Sequence, residues 1–367
     1  MLTDDYYMDL AIELALKGKG TTSPNPMVGA LVVKNGKIIG KGFHKKAGGP
    51  HAEIYALGEA RGKSLDATLY VTLEPCSYFG RTGPCTDAVI KSGIKKVIVG
   101  MRDPNPKNFG KGIRILKRHG IEVKIGLLED KLKKLNQVFI KYVTCGLPFI
   151  TVKVGQSLDG KIATRTGQSE WITSERSRAY IHNLRRFYDA ILLGVNTIIQ
   201  DDPLLNSKTR IRHIKIPVKI VVDSYLKTPS KARIFSKVSP GSVIIATILN
   251  ENKLKNKIQR YPESKTKILS IKEKDGQVDL RDLLKKLANL EVTNILVEGG
   301  GTLIGSLFDE GLVDKVMFFI APKIIGGKAA ISSVMGKGIT DIKRAIKLRD
   351  ISFRRLGEDF LVEGYVK

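Results

Sequence analysis

The sequence predicts a two-domain α/β protein, and three observations carry that prediction. Short β-rich runs alternate with helical patterns along the whole chain. The 367 residues exceed one ordinary domain. Gly146-Leu147-Pro148 interrupts the pattern, which sets the domains at residues 1–146 and 147–367. An apolar share of 42% beside a charged share of 27% fits a globular protein. No apolar run reaches the roughly 18 residues that a membrane span needs. The start Met1-Leu2-Thr3-Asp4-Asp5 lacks the blocks of a signal peptide, so a cytoplasmic location away from membranes is expected.

Taken in order, residues 4–17 place Met8, Ala11, Leu14 and Ala15 on one helical face, with Gly18 and Gly20 ending it. A proline-rich loop follows. Val28–Val33 and Lys37–Gly42 read as strands joined at Asn35-Gly36, a pair suited to a turn with positive φ at both central residues. His51–Ala60 is helical in pattern, with Ile54 and Leu57 set toward a core. Thr68–Leu73, Lys96–Met101 and Glu122–Ile125 read as strands, and Cys85–Lys91 and Lys111–His119 as helices stopped by Gly93 and Gly120. One long helix over Leu127–Thr144 closes the domain.

In the second half, Phe149–Val154, Ala190–Gly194, Val218–Val222, Val243–Ala246 and Asn294–Val297 have the short apolar form of buried strands. Ser174–Phe187 is an arginine-rich helix with Ser174 as N-cap, and Asp279–Leu290 an amphipathic helix. Val316–Ile320 and Phe360–Val366 are late strands, expected to run antiparallel at one side of the sheet. The lysine-heavy stretch Lys253–Lys274 reads as solvated surface.

The net charge of +26 is spread over both halves, mostly as lysine, without a basic arm. That favours long-range attraction of a small phosphorylated substrate over a concentrated nucleic-acid footprint. Three cysteines are too few for a disulfide framework. Cys145 reads as a plain buried thiol.

The most informative stretch runs from His51-Ala52-Glu53 through Glu74-Pro75-Cys76 to Cys85. Taken alone, His51 could be a helix cap and the two cysteines core residues. In this order they form a ligand set for zinc, which takes nitrogen and thiolate and leaves one place open at catalytic sites. Such an ion makes hydroxide available near neutral pH. Glu53, just beyond His51, is placed to move protons without binding the metal. The pattern follows the His-x-Glu … Pro-Cys-x-x-Cys signature of zinc deaminases, except that eight residues, Ser77 to Pro84, separate the cysteines. His44 is a weaker candidate, for the pocket or for a surface loop. His119, His182 and His213 read as structural or exposed.

The passage Thr72-Leu73-Glu74-Pro75-Cys76-Ser77-Tyr78-Phe79-Gly80-Arg81-Thr82-Gly83-Pro84-Cys85-Thr86, read with Asn25-Pro26-Met27-Val28-Gly29, resembles the riboflavin-pathway pyrimidine deaminases. Three later clusters are similar to the reductase domain of the same bifunctional family: Thr151 to Ala163, Ala190 to Leu205, and Leu296-Val297-Glu298-Gly299-Gly300-Gly301-Thr302-Leu303. The resemblance spans essentially the whole chain. It implies a cytidine-deaminase-like three-layer domain followed by a dihydrofolate-reductase-like domain.

It also implies an activity and its site residues. Zinc on His51, Cys76 and Cys85, with Glu53 as proton shuttle, would deaminate a diamino-hydroxy-phosphoribosylamino-pyrimidine. NADPH would then reduce the ribosyl group to ribityl. Asn25 would line the first pocket, and Lys45, Lys46 and Arg81 are phosphate partners by charge. Gly155, Trp171, Thr197, Asp201 and the turn Gly299, Gly300, Gly301, Thr302, Leu303 would contact NADPH. Ser169, Arg185, Leu205 and Glu298 would contact substrate, with Lys153 as proton donor or anchor. Where the family has an arginine after Asp-Asp-Pro-x-Leu, this chain has Lys208 and then Arg210, and Lys208 would contact the substrate phosphate there as a point charge. From the residues alone, Trp171 could be core packing, Lys153 and Glu298 a structural salt bridge, and the glycines a plain loop. A homo-oligomer without stable nucleic-acid binding is expected, with a nucleic-acid base deaminase as the alternative.

Overall fold

The computed structural model describes residues 2–80, 83–206, 216–250, 254 and 257–367. The chain divides into two compact units, Met1–Leu147 and Pro148–Lys367. Leu147, expected to open the second domain, therefore ends the first.

In the first unit, helix α1 (Asp4–Leu16) precedes the hairpin β1 (Gly29–Lys34) and β2 (Lys37–Phe43). Asn35 and Gly36 turn it with φ of 49° and 73°. Next come α2 (Ala52–Glu59), β3 (Thr68–Leu73), α3 (Cys85–Lys91), β4 (Lys96–Met101), α4 (Lys111–Arg118) and β5 (Glu122–Ile125). The sheet order is β2-β1-β3-β4-β5, antiparallel around β1 and parallel from β3 to β5. Helices α1 and α2 cover opposite faces, giving three layers around one core.

Helix α2 lies very close to β2. A Cβ on Gly40 would sit 2.1 Å from the Ala56 carbonyl oxygen, and one on Gly42 2.3 Å from that of Ala52. Only small residues fit at that contact, which Ala52 and Ala56 supply, while Glu53 is buried at the metal-ligand cluster. Ile54, expected at the core, is exposed instead, and Leu57 is only half-buried.

The expected long helix over Leu127–Thr144 is two helices, α5 (Glu129–Leu135) and α6 (Gln137–Cys145). Asn136 breaks it. Its buried carboxamide accepts from the Met27 N–H at 2.9 Å and donates to the Met27 carbonyl at 3.0 Å. Cys145, expected to be buried, is exposed, because it ends a helix that buries none of its residues fully.

The second unit contains β6 (Phe149–Ser157), β7 (Lys161–Ala163), α7 (Glu175–Leu184), β8 (Ala190–Gly194), α8 (Val195–Asp201), β9 (Val218–Val222), β10 (Val243–Thr247) and β11 (Thr266–Ser270). It continues with the short pair β12 (Glu273–Lys274) and β13 (Gln277–Val278), then α9 (Leu280–Asn289), β14 (Asn294–Glu298), α10 (Gly301–Asp309), β15 (Lys315–Ala321), β16 (Ile331–Ser332), β17 (Leu348–Leu356) and β18 (Asp359–Val366). The main sheet runs β11-β10-β9-β8-β14-β6-β15-β18-β17. It is parallel up to β15, and β18 is antiparallel to both its neighbours.

Ser174 caps α7 by accepting from the Ser177 N–H, and the helix tightens into a 3-10 turn over Arg185–Phe187. The stretch Lys253–Lys274 is not simply solvated. It supplies β11 and buries Leu254, Tyr261 and Ile271. Among the described residues, no helix is long and apolar enough to cross a membrane.

Candidate functional site

In the first unit, three chain positions converge. His51 is the N-cap of α2, Cys76 follows β3, and Cys85 is the first residue of α3. Their ligand atoms lie within 4.8 Å of one another. The His51 Nδ1 is 3.2 Å from the Cys85 sulfur and 3.5 Å from that of Cys76. A tetrahedron built on Zn–N and Zn–S bonds of about 2.1 and 2.3 Å has an N···S edge of about 3.5 Å, so the nitrogen and both sulfurs fit zinc in distance as well as chemistry. The backbone N–H of Cys85 donates to the Cys76 sulfur at 3.3 Å.

The electrostatics separate these groups. The Cys76 thiol is held down at about 4, chiefly by its bond with the Cys85 thiol, with burial opposing and His51 assisting. The same bond, with burial, drives Cys85 upward. His51 is raised by its bond to Cys76 against the effect of burial. Glu53 lies in the first turn of α2, only 3% exposed, and hydrogen-bonds the Cys85 thiol. Burial pushes its carboxyl up to about 7, helped by the Cys76 charge and opposed by His51. A carboxyl poised near neutrality can both take and return a proton.

His44 is buried and belongs to this pocket. Its ring stands edge-on to that of His51, with centroids 5.3 Å apart. His44 Nδ1 pairs with the Pro50 carbonyl at 3.0 Å and Nε2 with Asn25 Nδ2 at 3.1 Å. Burial lowers the His44 pKa, so the neutral ring donates from Nδ1 and accepts from Asn25, which fixes the orientation of the Asn25 carboxamide. Lys45 and Lys46 are exposed, and the Lys45 Nζ rests over the Tyr55 ring at 4.3 Å. Arg81 lies outside the described residues.

Three residues around this centre were not singled out from the sequence. Glu74 is a buried carboxylate that accepts from the N–H groups of Asp103, Gly110 and Ile113. Asp103 is 6% exposed, and burial pushes it up to about 6 while bonds from Asn105 and Asn108 hold it back. Asn108 is fully buried beside Cys76. The turn-rich Asp103-Pro104-Asn105-Pro106 was the available signal for this loop.

In the second unit, parallel pairing sets Glu298 of β14 beside Lys153 of β6. The Lys153 Nζ is 3.4 Å from Glu298 Oε2. Arg185 grips the same carboxylate with Nε at 2.6 Å and Nη2 at 2.9 Å, and its Nη1 donates to the Asn206 carbonyl at 2.9 Å. Burial alone would raise Glu298, but the charges of Arg185 and Lys153 outweigh it and hold the carboxyl at about 2. The trio lies toward the carboxyl ends of parallel strands, where open α/β sheets bind ligands.

Beside it, Gly299 and Gly300 take φ of 86° and 80°. A Cβ on Gly299 would meet the Thr197 side chain at 3.2 Å. Thr197 and the glycine turn are thus brought together, and Gly301 opens α10. Leu303 is buried, while Thr302 is exposed with its hydroxyl 4.0 Å from the Met335 sulfur.

Ser169 donates to Asp201 at 3.0 Å. Gly155 faces Thr173. Trp171 is 62% exposed, stacked under the Arg178 guanidinium at 4.3 Å. Leu205 turns into the core with Ile191, Leu193 and Ile198. His182 pairs with the Asn206 carbonyl at 3.0 Å, and His119 is exposed. Lys208, Arg210 and His213 lie outside the described residues.

Comparison with known proteins covers both units. Residues 148–362 match the RibD C-terminal domain, and residues 1–101 match the cytidine and deoxycytidylate deaminase zinc-binding region. The chain is 46% identical over 359 residues to the riboflavin biosynthesis protein RibD of Aquifex aeolicus, covering 98% of this chain and 97% of that protein. It is 38% identical to RibD of Escherichia coli, over 98% of each. Among solved structures, Acinetobacter baumannii RibD (form 2) aligns with a TM-score of 0.87 at 34% identity over 99% of both chains. A diaminohydroxyphosphoribosylaminopyrimidine deaminase/5-amino-6-(5-phosphoribosylamino)uracil reductase from Thermotoga maritima aligns with a TM-score of 0.84 at 37% identity, covering 99% of this chain and 98% of that one.

Proposed function

The chain belongs to the riboflavin biosynthesis RibD family of bifunctional deaminase–reductases, and on that footing we propose how its residues divide the two reactions. The first unit removes the 2-amino group of a diamino-hydroxy-phosphoribosylamino-pyrimidine. The second reduces the ribosyl group of the deaminated product to ribityl, with NADPH as hydride source. The observation that carries the first assignment is the triangle of His51, Cys76 and Cys85 with the Glu53 carboxyl buried against it.

His51, Cys76 and Cys85 would hold zinc, which would supply the Lewis acidity that makes water a nucleophile near neutral pH. Glu53 takes a proton from the attacking water and returns it to the departing amine, which leaves as ammonia. Asn25, oriented by His44, presents its carboxamide to the pyrimidine ring. Burial of Glu53 excludes bulk water from the proton's path.

In the second unit, Lys153 offers N–H donors at the point where Arg185 and Glu298 define a polar, desolvated floor. Reduction of the open imine form of the sugar needs a hydride at C1 and a proton on the imine nitrogen. NADPH would supply the first, and we assign the second to Lys153. The glycine turn at the start of α10 packs closely on Thr197, and as a helix N-terminus it would suit a cofactor phosphate. Ser169, Asp201, Gly155 and Trp171 complete the proposed contacts.

The nucleic-acid base deaminase alternative is not favoured, because the second unit matches the RibD C-terminal domain almost throughout. A cytoplasmic enzyme acting on a phosphorylated pyrimidine without stable nucleic-acid binding is part of the same proposal. So is a homo-oligomer. Strand β17 lies at the sheet edge with Phe353 73% and Ile351 50% exposed, and an apolar open edge is a surface that proteins normally cover.

The test is to give zinc-loaded protein the diamino substrate and follow ammonia release and NADPH consumption separately. Ammonia should appear without NADPH, and NADPH should be consumed only on deaminated substrate. NADPH consumption on the undeaminated substrate, or no ammonia at all, would defeat the assignment.

A further inference from the structure

We propose that Asn108 is a positioning residue for the zinc ligand Cys76, an inference that rests on reading His51, Cys76 and Cys85 as a zinc site. Asn108 lies in the loop between β4 and α4 and is fully buried. Its Oδ1 accepts from the Ser77 N–H at 3.0 Å and from the Ser77 hydroxyl at 2.7 Å. Its Nδ2 donates to the Pro75 carbonyl at 3.3 Å, and the carboxamide also bonds the Asp103 side chain. A primary amide offers two donors and two lone pairs. Asn108 therefore makes all the hydrogen bonds open to it, and three of them hold the residues immediately before and after Cys76.

The same loop is anchored in the opposite direction. Glu74, two residues before the cysteine, takes N–H groups from Asp103, Gly110 and Ile113. Gly112 lies so close that a Cβ there would sit 2.1 Å from the Pro75 carbonyl oxygen. The backbone through Glu74-Pro75-Cys76-Ser77 is thus clasped by the buried Asp103 and Asn108 of this loop and by the first turn of α4. His51 and Cys85 are placed differently, by the starts of α2 and α3. Cys76 sits on neither a helix nor a strand, so it is the ligand that most needs outside support. Contacts behind a metal ligand typically contribute about 10- to 100-fold in metal affinity. A carboxamide that holds Pro75 and Ser77 keeps the Cys76 sulfur within reach of the other two donors.

The test uses the full-length protein as Asn108→Leu and as Asn108→Asp, which keeps size and the acceptor oxygen for Ser77 but loses the donors to Pro75 and Asp103. Zinc affinity is read by competition with a chromogenic chelator. Ligand geometry is read from the thiolate-to-metal absorption of the cobalt(II)-substituted protein. Thermal unfolding of the metal-loaded samples identifies which variant folds, and Asn108→Asp serves if the leucine does not. We expect zinc affinity to fall about 10- to 100-fold in Asn108→Leu and by less in Asn108→Asp, with a changed cobalt spectrum in both. A folded variant that holds zinc as tightly as the parent, with the parent's cobalt spectrum, would overturn the positioning role and leave the zinc site standing. A parent that takes up no zinc would overturn both.

Discussion

Replacing Glu298 with glutamine should destabilise the second unit far more than a surface change would. The carboxylate is 5% exposed, clamped by two nitrogens of Arg185 and reached by Lys153. Those cations hold it at about 2 against an ordinary 4.5. At about 1.4 kcal/mol for each tenfold change, that depression corresponds to about 3 kcal/mol of stability. An independent argument gives the same size, since removing one partner of a buried pair leaves an uncompensated charge and costs about 3–5 kcal/mol.

Trp171 is the sole tryptophan and belongs to the second unit, so its fluorescence reports that unit's unfolding. With a urea dependence of about 2 kcal/mol per molar, the midpoint should drop by about 1–2 M at pH 7. The sign with pH is equally specific. The folded carboxyl is depressed, so its contribution is complete above 4.5 and fades as pH falls toward 2. The gap between parent and Glu298→Gln should therefore close in that window. Joint replacement of Arg185 by Met and Glu298 by Leu should recover much of the stability while abolishing NADPH oxidation. A midpoint for Glu298→Gln equal to the parent's would refute the buried clamp.

Burial raises Glu53 to about 7, so in chelator-stripped protein its charged form is penalised as pH climbs from 4.5 through 7. Glu53→Gln should then be more stable than the parent at pH 8, by up to about 3 kcal/mol, and no more stable at pH 4. A pH-independent difference in thermal unfolding would contradict this. Lys153→Met should slow NADPH oxidation at least about 100-fold and leave ammonia release unchanged. Phe353→Lys should shift light scattering toward a smaller species, and an unchanged mass would remove β17 as an interface.

The strands and the hairpin were legible because apolar runs and Asn35-Gly36 encode them locally. The convergence of His51, Cys76 and Cys85 was legible for a related reason: with Glu53 they are chemically distinctive, and their order is informative even across a long loop. What escaped was whatever depends on a distant partner. Asn136 breaks a helix through its bonds to Met27. Ile54 points outward because Gly40 and Gly42 draw small residues of α2 onto the sheet. Strand β17, Leu-Arg-Asp-Ile-Ser-Phe-Arg-Arg-Leu, is exposed along nearly its whole length, and its charged residues break up the apolar run that marks a buried strand. The salt bridge of Lys153 with Glu298 was one reading of the sequence, but the Arg185 clamp on the same carboxylate came only with the fold. Asn108 carries no signal in the sequence, and only the fold sets it against Pro75 and Ser77.

The central claim is that two separate chemistries share one chain, and Glu53→Gln tests it most directly. The variant keeps the three zinc ligands and leaves the second unit untouched. Given diamino substrate, it should release no ammonia. Given substrate already deaminated, it should oxidise NADPH at the parent's rate. Continued ammonia release, or loss of both activities in folded, zinc-loaded protein, would contradict the account.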